Sequence, residues 1–196
     1  MSEPAAPYTT RLSPQEIDRR LASINLVIFD VDGVLTDGRI GYVGTERALF
    51  FHTHDGHGIR SLIETGAVMV AWCTTNRTMC IRDRAHALKV THLIQNREDK
   101  KAAIEELGIP WERIAYMGDD LIDVPSMRLA AVAAAPADAR PEALQVADWV
   151  SVKGGGRGAA RDFCDLVLQA KGFAPHVDQA GVCTWQLAPK PLGIRP

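Results

Sequence analysis

The sequence predicts an α/β protein with a Rossmann-like, three-layer fold: a parallel β-sheet between two layers of helices, with a β-hairpin insertion and no separate cap domain. Two patterns support this fold class. Apolar, β-branched runs alternate with amphipathic segments through most of the 196 residues, as in chains that form parallel sheets with crossover helices. Several of these runs also end in polar residues, and ligands of such sheets bind beyond the carboxyl ends of the strands.

Composition narrows the classes of protein to consider. The chain is 46% hydrophobic and 23% charged with a net charge of −2, which is typical of a globular domain with a sizeable core. The near-neutral balance argues against nucleic acid or an anionic membrane as the main partner. We find no secretory signal at the start and no run near the roughly 20 apolar residues of a membrane span. The four scattered cysteines predict free thiols in a reducing cytoplasm.

The organisation along the chain suggests three parts. Residues 1–23 predict a helical extension, and residues 24–171 a single domain with the hairpin at about 38–53. Residues 172–196 lack periodicity and carry several prolines, so we expect a C-terminal tail rather than a core element.

The elements follow from local patterns taken in order. Ser13, Pro14 and Glu16 form a capping box that predicts a helix to about residue 22. The continuous apolar run at 24–31 predicts a strand buried on both faces. The later patterns predict a hairpin turn at 44–46, helices over 58–66, 78–89, 100–108 and 158–172, and strands over 67–75, 90–95, 113–120, 130–135 and 148–152.

Polar side chains follow three of these strands. Asp30 and Asp32 end the first strand, Thr74 the second, and Asp119 and Asp120 a later one, so all five should meet at one edge of the sheet. Carboxylate oxygens are hard ligands that favour Mg²⁺. The alternative for Asp32 and the glycine after it is a simple turn.

This residue set suits phosphoryl transfer. A carboxylate in line with phosphorus can form an aspartyl-phosphate, and a second carboxylate two residues further on can protonate the leaving oxygen and later activate water. Thr74 offers a hydroxyl to a phosphoryl oxygen, and Lys100 offers a positive charge to the nucleophile and the phosphate.

Four segments carry a family resemblance. "DVDGVLTDG", Thr74, Lys100 and "GDDLIDVPSM" resemble the four motifs of the haloacid-dehalogenase-like phosphatases. "FFHTHDGHGIR" and "KGGGRGAARDFCDLVLQAKG" are similar to segments of its 3-deoxy-D-manno-octulosonate 8-phosphate phosphatase branch, and the resemblance covers about residues 24–171. It implies Asp30 as nucleophile, Asp32 as general acid and base, and phosphate contacts from Thr74 and Lys100.

The resemblance also implies the metal site and the substrate. Asp30, Asp119 and the Asp32 backbone carbonyl would bind Mg²⁺, with Asp120 and Asp123 in support. The expected reaction releases phosphate and the free sugar acid from the octulosonate 8-phosphate, a lipopolysaccharide precursor.

Two alternatives stay open. The family usually has Gly-Arg after the motif threonine, and relatives acting on nine-carbon keto-acid phosphates often have a small residue and then Glu. This chain has Thr75 and Asn76, so a nine-carbon keto acid 9-phosphate or another sugar phosphate is an alternative substrate. A catalytically idle binding subunit is the alternative from another class of protein.

The short spacing between Asp32 and Thr74 leaves no room for a cap domain. An aspartyl-phosphate has to be shielded from water, and an uncapped subunit can achieve this with surface from a neighbouring subunit. Tyr42, Phe50 and Phe51 in the hairpin suit a subunit contact, although packing on their own domain is the alternative. The resemblance implies a homotetramer in which the hairpin of one subunit covers the site of its neighbour. The tail either reaches a neighbouring site or frays.

Three further features bear on ligands. His52, His54 and His57 invite a zinc interpretation, but soft ligands around them are missing, and we expect His57 and Arg60 to face the substrate instead. The glycine-rich segment 154–158 opens a helix, and helix N-termini bind anions. We therefore expect a substrate carboxylate there, bound with Arg157 or Arg161, and Asn76 among the substrate contacts; a flexible turn is the alternative.

Overall fold

The computed structural model describes residues 8–188. Its strands are β1 (Tyr8–Thr10), β2 (Leu26–Phe29), β3 (Gly41–Val43), β4 (Glu46–Ala48), β5 (Met69–Thr74), β6 (His92–Gln95), β7 (Ile114–Met117), β8 (Val132–Ala135), β9 (Trp149–Ser151), β10 (Phe173–Val177) and β11 (Cys183–Leu187). Its helices are α1 (Pro14–Ser23), α2 (Thr53–Glu64), α3 (Met79–Leu88), α4 (Lys100–Glu105), α5 (Val124–Met127), α6 (Pro141–Val146) and α7 (Ala159–Ala170).

The central sheet confirms the predicted parallel architecture. Its strand order is β1-β9-β8-β7-β2-β5-β6, and the six strands from β9 to β6 run parallel. β1 adds an antiparallel strand at one edge. β2 lies between β5 and β7, and Phe29 at its end is in register with Trp72 and Met117. The chain order reverses beside β2, which is where ligands of such sheets bind.

The core lies on both faces of the sheet. Val27 and Phe29 point into a cluster with apolar side chains from α1, α2, α3 and α7. Leu26 and Ile28, on the opposite face of the same strand, pack with residues from α4, α5 and α6. All four are fully buried, because successive side chains of a strand alternate between faces and both faces carry helices.

The hairpin insertion is confirmed at β3 and β4, which pair antiparallel within residues 38–53. Tyr42 and Phe50 are 66% and 75% exposed, as expected of side chains that do not pack on their own domain. Phe51 behaves differently, because its ring stacks on Trp72 with the two centroids 5.8 Å apart.

The segment after α7 differs from the expectation of an irregular tail. β10 and β11 form an antiparallel hairpin, and Phe173 and Trp185 pack against the core cluster on the α7 side. Asp178 closes its turn by accepting hydrogen bonds from the amides of Ala180 and Val182. Two five-residue strands give little periodicity, and tertiary contact stabilises them. The rest of the expected tail, 189–196, lies outside the described residues.

Two smaller differences concern the N-terminal extension and the start of α2. The extension expected to be helical contains α1 as predicted, and it also contributes β1 to the sheet. α2 begins at Thr53, five residues before the predicted start, and His52 caps it through a ring nitrogen that accepts from the His54 amide at 3.2 Å. No helix in the described part of the chain is long and apolar enough to cross a bilayer.

Candidate active site

The parallel register brings the predicted aspartates to one edge of the sheet. Asp30 directly follows β2, and its amide donates to the carbonyl of Met117 at the end of β7 at 2.9 Å. Asp119 follows two residues after the end of β7 and lies beside Asp30. One oxygen of each of Asp30, Asp119 and Asp123 lies within 4.8 Å of the others.

Lys100 is the cation of this cluster. It is the first residue of α4, only 2% exposed, and its Nζ lies 2.9 Å from Oδ1 of Asp30 and 2.7 Å from Oδ1 of Asp123. Burial alone would lower the pKa of Lys100, but the two carboxylates outweigh it and raise the pKa. Lys100 is therefore charged at every physiological pH and orients the Asp30 carboxylate.

Asp123 fixes the loop that carries the metal-site aspartates. Its Oδ1 accepts from Lys100 and from the Tyr116 hydroxyl, both at 2.7 Å. Its Oδ2 accepts from the backbone amides of Asp119 and Asp120 at 3.1 and 3.2 Å. Both oxygens of this fully buried carboxylate are thus bound within the protein, and Asp123 sets the backbone of 119–120 rather than facing a ligand.

The same cluster has more negative charge than its own lysine balances. Three carboxylates, those of Asp30, Asp119 and Asp123, surround the single ammonium of Lys100, which leaves two formal negative charges when all are ionised. Burial, and then repulsion from Asp123, raise the pKa of Asp30 well above its usual range. The same two causes raise the pKa of Asp119 to about 7.

This site fits a divalent cation. Oδ1 of Asp119 is buried without a hydrogen-bond partner among the described residues, which is costly unless an ion binds it. The donors are all carboxylate oxygens, the ligands that Mg²⁺ prefers. Asp119 and the second oxygen of Asp30 can face a metal, because Oδ1 of Asp30 is held by Lys100 and the Val31 amide. The carboxylate of the exposed Asp120 accepts from the Leu121 amide.

Asp32 lies in a second cluster on the β5 side. Nδ2 of Asn76 donates to both of its carboxylate oxygens, at 3.1 and 3.2 Å. The Thr74 hydroxyl contacts Oδ2 of Asp32 at a longer 3.4 Å and accepts from the Asn76 amide at 3.0 Å. Thr74 is 1% exposed, so its hydroxyl is fixed at the end of β5 as the sequence predicted.

Glycines let the backbone approach this edge closely. Gly33 has φ +89°, and a Cβ built there would lie 2.1 Å from Oδ2 of Asp119. Gly155 packs against the same turn, where a Cβ would lie 1.7 Å from the Gly33 carbonyl oxygen. The glycine-rich segment before α7 therefore packs directly against the backbone of the Asp30–Gly33 turn.

Comparisons with known proteins find similar sequences and structures, although no protein-family model matches the chain. The 3-deoxy-D-manno-octulosonate 8-phosphate phosphatase of Yersinia pestis is 44% identical over 162 residues, covering 80% of this chain and 86% of that protein. The enzyme of the same name from Escherichia coli K12 is 41% identical over 180 residues, covering 88% and 95%. The chain belongs to this phosphatase family.

The solved structures place the family in the haloacid dehalogenase superfamily of hydrolases. The Moraxella catarrhalis 3-deoxy-D-manno-octulosonate 8-phosphate phosphatase, solved in complex with magnesium, phosphate and the octulosonate, superposes with a TM-score of 0.76 at 33% identity. The match covers 80% of this chain and 92% of that one. The predicted fold, superfamily and hydrolase class are thereby confirmed.

The residues predicted to bind substrate are more dispersed in this phosphatase. His57 lines a cavity of about 260 Å³ between α2 and the C-terminal hairpin. Arg60 makes an ion pair with Glu64 one turn further along α2, with 2.5 Å between the charged atoms. The structure therefore does not bring His57 or Arg60 into contact with the aspartates.

The N-terminus of α7 already has an anion from the phosphatase itself. Oδ2 of the buried Asp55 accepts from the Gly158 amide at 3.3 Å, and Oδ1 accepts from the Arg161 amide at 2.8 Å. The Arg161 side chain pairs with Asp165 at 2.7 Å. Asp55 therefore occupies the two backbone amides at which we expected a substrate carboxylate to bind. Arg157 stays exposed, 3.6 Å from Asp37.

The histidines do not form a metal site. His52 caps α2 and His54 lies in its first turn, with ring centroids 5.0 Å apart, whereas His57 faces the C-terminal hairpin. Between residues 8 and 188, only Asp30, Asp119 and Asp123 come close enough to share an ion through three side chains.

Sequence reasoning missed two supporting side chains of the phosphatase. Tyr116 sits in the middle of an apolar strand, where its hydroxyl gave no sign of the bond to Asp123. Asp55 had no assigned role within the segment "FFHTHDGHGIR", yet its carboxylate links α2 to the start of α7. The role of Asp55 depends on partners about a hundred residues away, and that of Tyr116 depends on which face of its strand the side chain occupies. Local sequence patterns show neither.

Proposed function

We propose that this protein is a Mg²⁺-dependent phosphomonoesterase that hydrolyses 3-deoxy-D-manno-octulosonate 8-phosphate to the octulosonate and phosphate through an aspartyl-phosphate on Asp30. The observation that carries the proposal is the buried Asp30 carboxylate at the end of β2, paired with Lys100 beside Asp119 and Asp123. The printed names of the Yersinia pestis and Escherichia coli relatives support the substrate, and the Moraxella complex supports the metal.

The first step transfers the phosphoryl group to the protein. An oxygen of Asp30 attacks phosphorus, the bond from phosphorus to the ester oxygen breaks, and a new bond to Asp30 forms. Asp32 donates a proton to the departing sugar oxygen, which leaves as a neutral alcohol. Lys100, 2.9 Å from Asp30, favours the ionised form of the nucleophile and opposes the burial that raises its pKa.

The second step releases phosphate. Asp32, now ionised, takes a proton from a water molecule as that water attacks phosphorus. The bond between phosphorus and Asp30 breaks, the Asp30 carboxylate is restored, and inorganic phosphate leaves. Thr74, whose hydroxyl lies at the end of β5 beside Asp32, donates to a phosphoryl oxygen in both steps.

Asp30, Asp119 and the Asp32 carbonyl are the proposed ligands of Mg²⁺, with Asp120 and Asp123 in support. When bound, the ion neutralises negative charge on the phosphoryl oxygens and aligns them with the nucleophile. Asp123 contributes by keeping the amides of 119–120 in place.

Among the other predicted substrate contacts, Arg157 has the best support for binding the sugar-acid carboxylate. Its side chain is 63% exposed, and its 3.6 Å pair with Asp37 is long enough to exchange for a ligand at little cost. His57, Arg60 and Arg161 remain proposals with less support, since their contacts are with other protein groups or with the hairpin.

A homotetramer remains part of the proposal. The β3–β4 hairpin exposes Ile40, Tyr42, Val43 and Phe50 by 55–75%, which is more apolar surface than a short two-stranded hairpin usually leaves in water. Sedimentation of the wild-type protein and of Tyr42→Ser/Phe50→Ser tests it. A tetramer that persists in the variant would contradict the hairpin as the contact.

The test of function is phosphate release from a panel of eight- and nine-carbon keto-acid phosphates and other sugar phosphates, with and without Mg²⁺. We expect Mg²⁺-dependent turnover with preference for the octulosonate 8-phosphate, and acid-quenched protein should carry phosphate on the Asp30 peptide. Asp30→Asn should lose more than about 10³-fold in turnover, because the amide lacks the carboxylate oxygen that forms the acyl phosphate. Asp18→Asn, on the exposed face of α1, is the matched control.

Two outcomes would contradict the proposal. Preference for a nine-carbon substrate would keep the chemistry and replace the substrate. Absence of turnover on every ester would leave the idle binding subunit as the better description.

A further inference from the structure

Asn76 was predicted to contact substrate, but the hydrogen bonds of its side chain are with Asp32 and Thr78 of the protein itself. Its side chain is 9% exposed and spans from α3 to the Asp32 carboxylate. Nδ2 donates to both oxygens of Asp32 at 3.1 and 3.2 Å. This nitrogen contacts both oxygens almost equally, and the Thr74 hydroxyl contacts Oδ2 alone at 3.4 Å. The two contacts together restrict both the position and the rotation of the carboxyl group.

The orientation of the amide is determined by its other end. Oδ1 of Asn76 accepts from the backbone amide of Thr78 at 3.0 Å and from the Thr78 hydroxyl. A backbone N–H can only donate, so the atom facing it must be the amide oxygen, and the NH₂ group must face Asp32. Thr78 is in turn fixed as the residue before α3, where its carbonyl accepts from the Gln95 side chain at 3.0 Å.

We infer that Asn76 is a positioning residue for the general acid and base: it orients the Asp32 carboxyl group for proton transfer to the leaving oxygen and from the attacking water. This inference rests on the proposed function. A protonated carboxyl group keeps one carbonyl oxygen, so the amide of Asn76 has an acceptor in both steps. With its NH₂ group directed at Asp32, Asn76 contributes to the proton transfer and has little left to offer a substrate.

Leaving-group dependence separates this role from a structural one. An alkyl alcohol such as that of a sugar leaves only when protonated, whereas 4-nitrophenolate leaves without a proton. Misorienting Asp32 should therefore slow the first step with a sugar phosphate and spare it with 4-nitrophenyl phosphate. A general disturbance of the site would slow both substrates alike.

The experiment compares wild-type protein, Asn76→Ala and Asp32→Asn in Mg²⁺. Rapid-quench single turnovers with the octulosonate 8-phosphate measure phosphoryl transfer, and the stopped-flow burst of 4-nitrophenol measures the same step with the activated ester. For Asn76→Ala we expect a loss of about 10–100-fold with the sugar phosphate, part of the roughly 10²–10⁴-fold typical of general acid catalysis. The nitrophenol burst should change less than about threefold, and KM for the sugar phosphate less than about twofold.

Two further variants sharpen the test. Adding Asn76→Ala to Asp32→Asn should cause no further loss, because the positioned group is already gone. Thr78→Val removes one of the two donors to the Asn76 oxygen while keeping the backbone one, and should give the same pattern with a smaller loss. It also replaces Asn76→Ala if that variant does not fold, since no capping bond of α3 involves the Thr78 side chain.

Asn25→Ala is the matched control. Asn25 is exposed before β2, at the opposite edge of the sheet, and its backbone bonds survive the substitution. Equal losses on both substrates, or a raised KM with unchanged kcat, would overturn the inference. If wild-type protein prefers a different sugar phosphate, the proposed substrate fails while the ratio between that ester and 4-nitrophenyl phosphate still tests Asn76. Wild-type protein without phosphatase activity would overturn both.

Discussion

Replacing Lys100 by methionine removes a cation that contacts two buried carboxylates. Its Nζ lies 2.9 Å from Asp30 and 2.7 Å from Asp123, and the residue is 2% exposed. Methionine has a similar length, so little packing is lost, but Asp30 and Asp123 are left buried without their partner. Breaking a buried ion pair on one side costs about 3–5 kcal/mol. For a chain of this size that corresponds to a fall of about 6–20 °C in Tm.

The assay is urea and thermal unfolding at pH 7.5 without Mg²⁺. Lys101→Met is the matched control: it is the next residue of α4, 47% exposed, with a 3.7 Å pair to Glu105. Such surface pairs contribute less than about 1 kcal/mol, so this variant should unfold close to wild type. Asp123→Asn added to Lys100→Met should restore part of the loss, because one unpaired charge disappears.

The pH dependence gives a second criterion. The pKa of Asp30 is raised by burial, and that of Asp119 is about 7, so both take up protons more readily than exposed aspartates. Without Lys100 these protons relieve the repulsion, and the destabilisation should shrink between pH 8 and pH 5. A Lys100→Met protein within about 1 kcal/mol of Lys101→Met at pH 7.5 would refute the reasoning.

Three other outcomes follow from the same edge of the sheet. Because burial raises the pKa of Asp119 from 3.8 to about 7, protons compete with Mg²⁺, and its affinity in titration calorimetry should rise from pH 6 to pH 8. A Mg²⁺ affinity that does not change with pH would contradict Asp119 as a ligand. In metal-free protein, the contribution of Asp119 to folding stability is fully present below pH 3.8 and is lost as the pH rises through 7. Gly33→Ala should abolish Mg²⁺ binding, because the new Cβ would lie 2.1 Å from Oδ2 of Asp119. Gly66→Ala is the control: Gly66 also has a positive φ, +66°, but lies in open space. This variant should lose only about 1–2 kcal/mol of folding free energy through backbone strain. Tyr116→Phe should lower the free energy of unfolding by about 1–3 kcal/mol through the lost bond to Asp123, measurable by urea denaturation, and a neutral result would show that the bond adds nothing.

Local sequence patterns were enough to predict the buried strands and the polar residues that follow them. The apolar run of β2 followed by Asp30 predicted a buried strand delivering a carboxylate to the sheet edge, because a strand covered on both faces has no polar position until it ends. Asp119 was predicted on the same grounds at the end of β7. Thr74 and Lys100 were predicted by their order between these motifs. In the structure Thr74 contacts Asp32 and Lys100 pairs with Asp30, and their contacts with a phosphate stay predictions.

Tertiary structure decided the features that depend on distant partners. The sequence could not show that Asp55 would supply the anion for α7, because Gly158 and Arg161 lie about a hundred residues away. It could not distinguish a substrate contact at Asn76 from a bond to Asp32, since both need the same amide at the same place. Local patterns determine which residues end a strand; which groups then bind one another depends on how α2, α3 and α7 pack around the sheet.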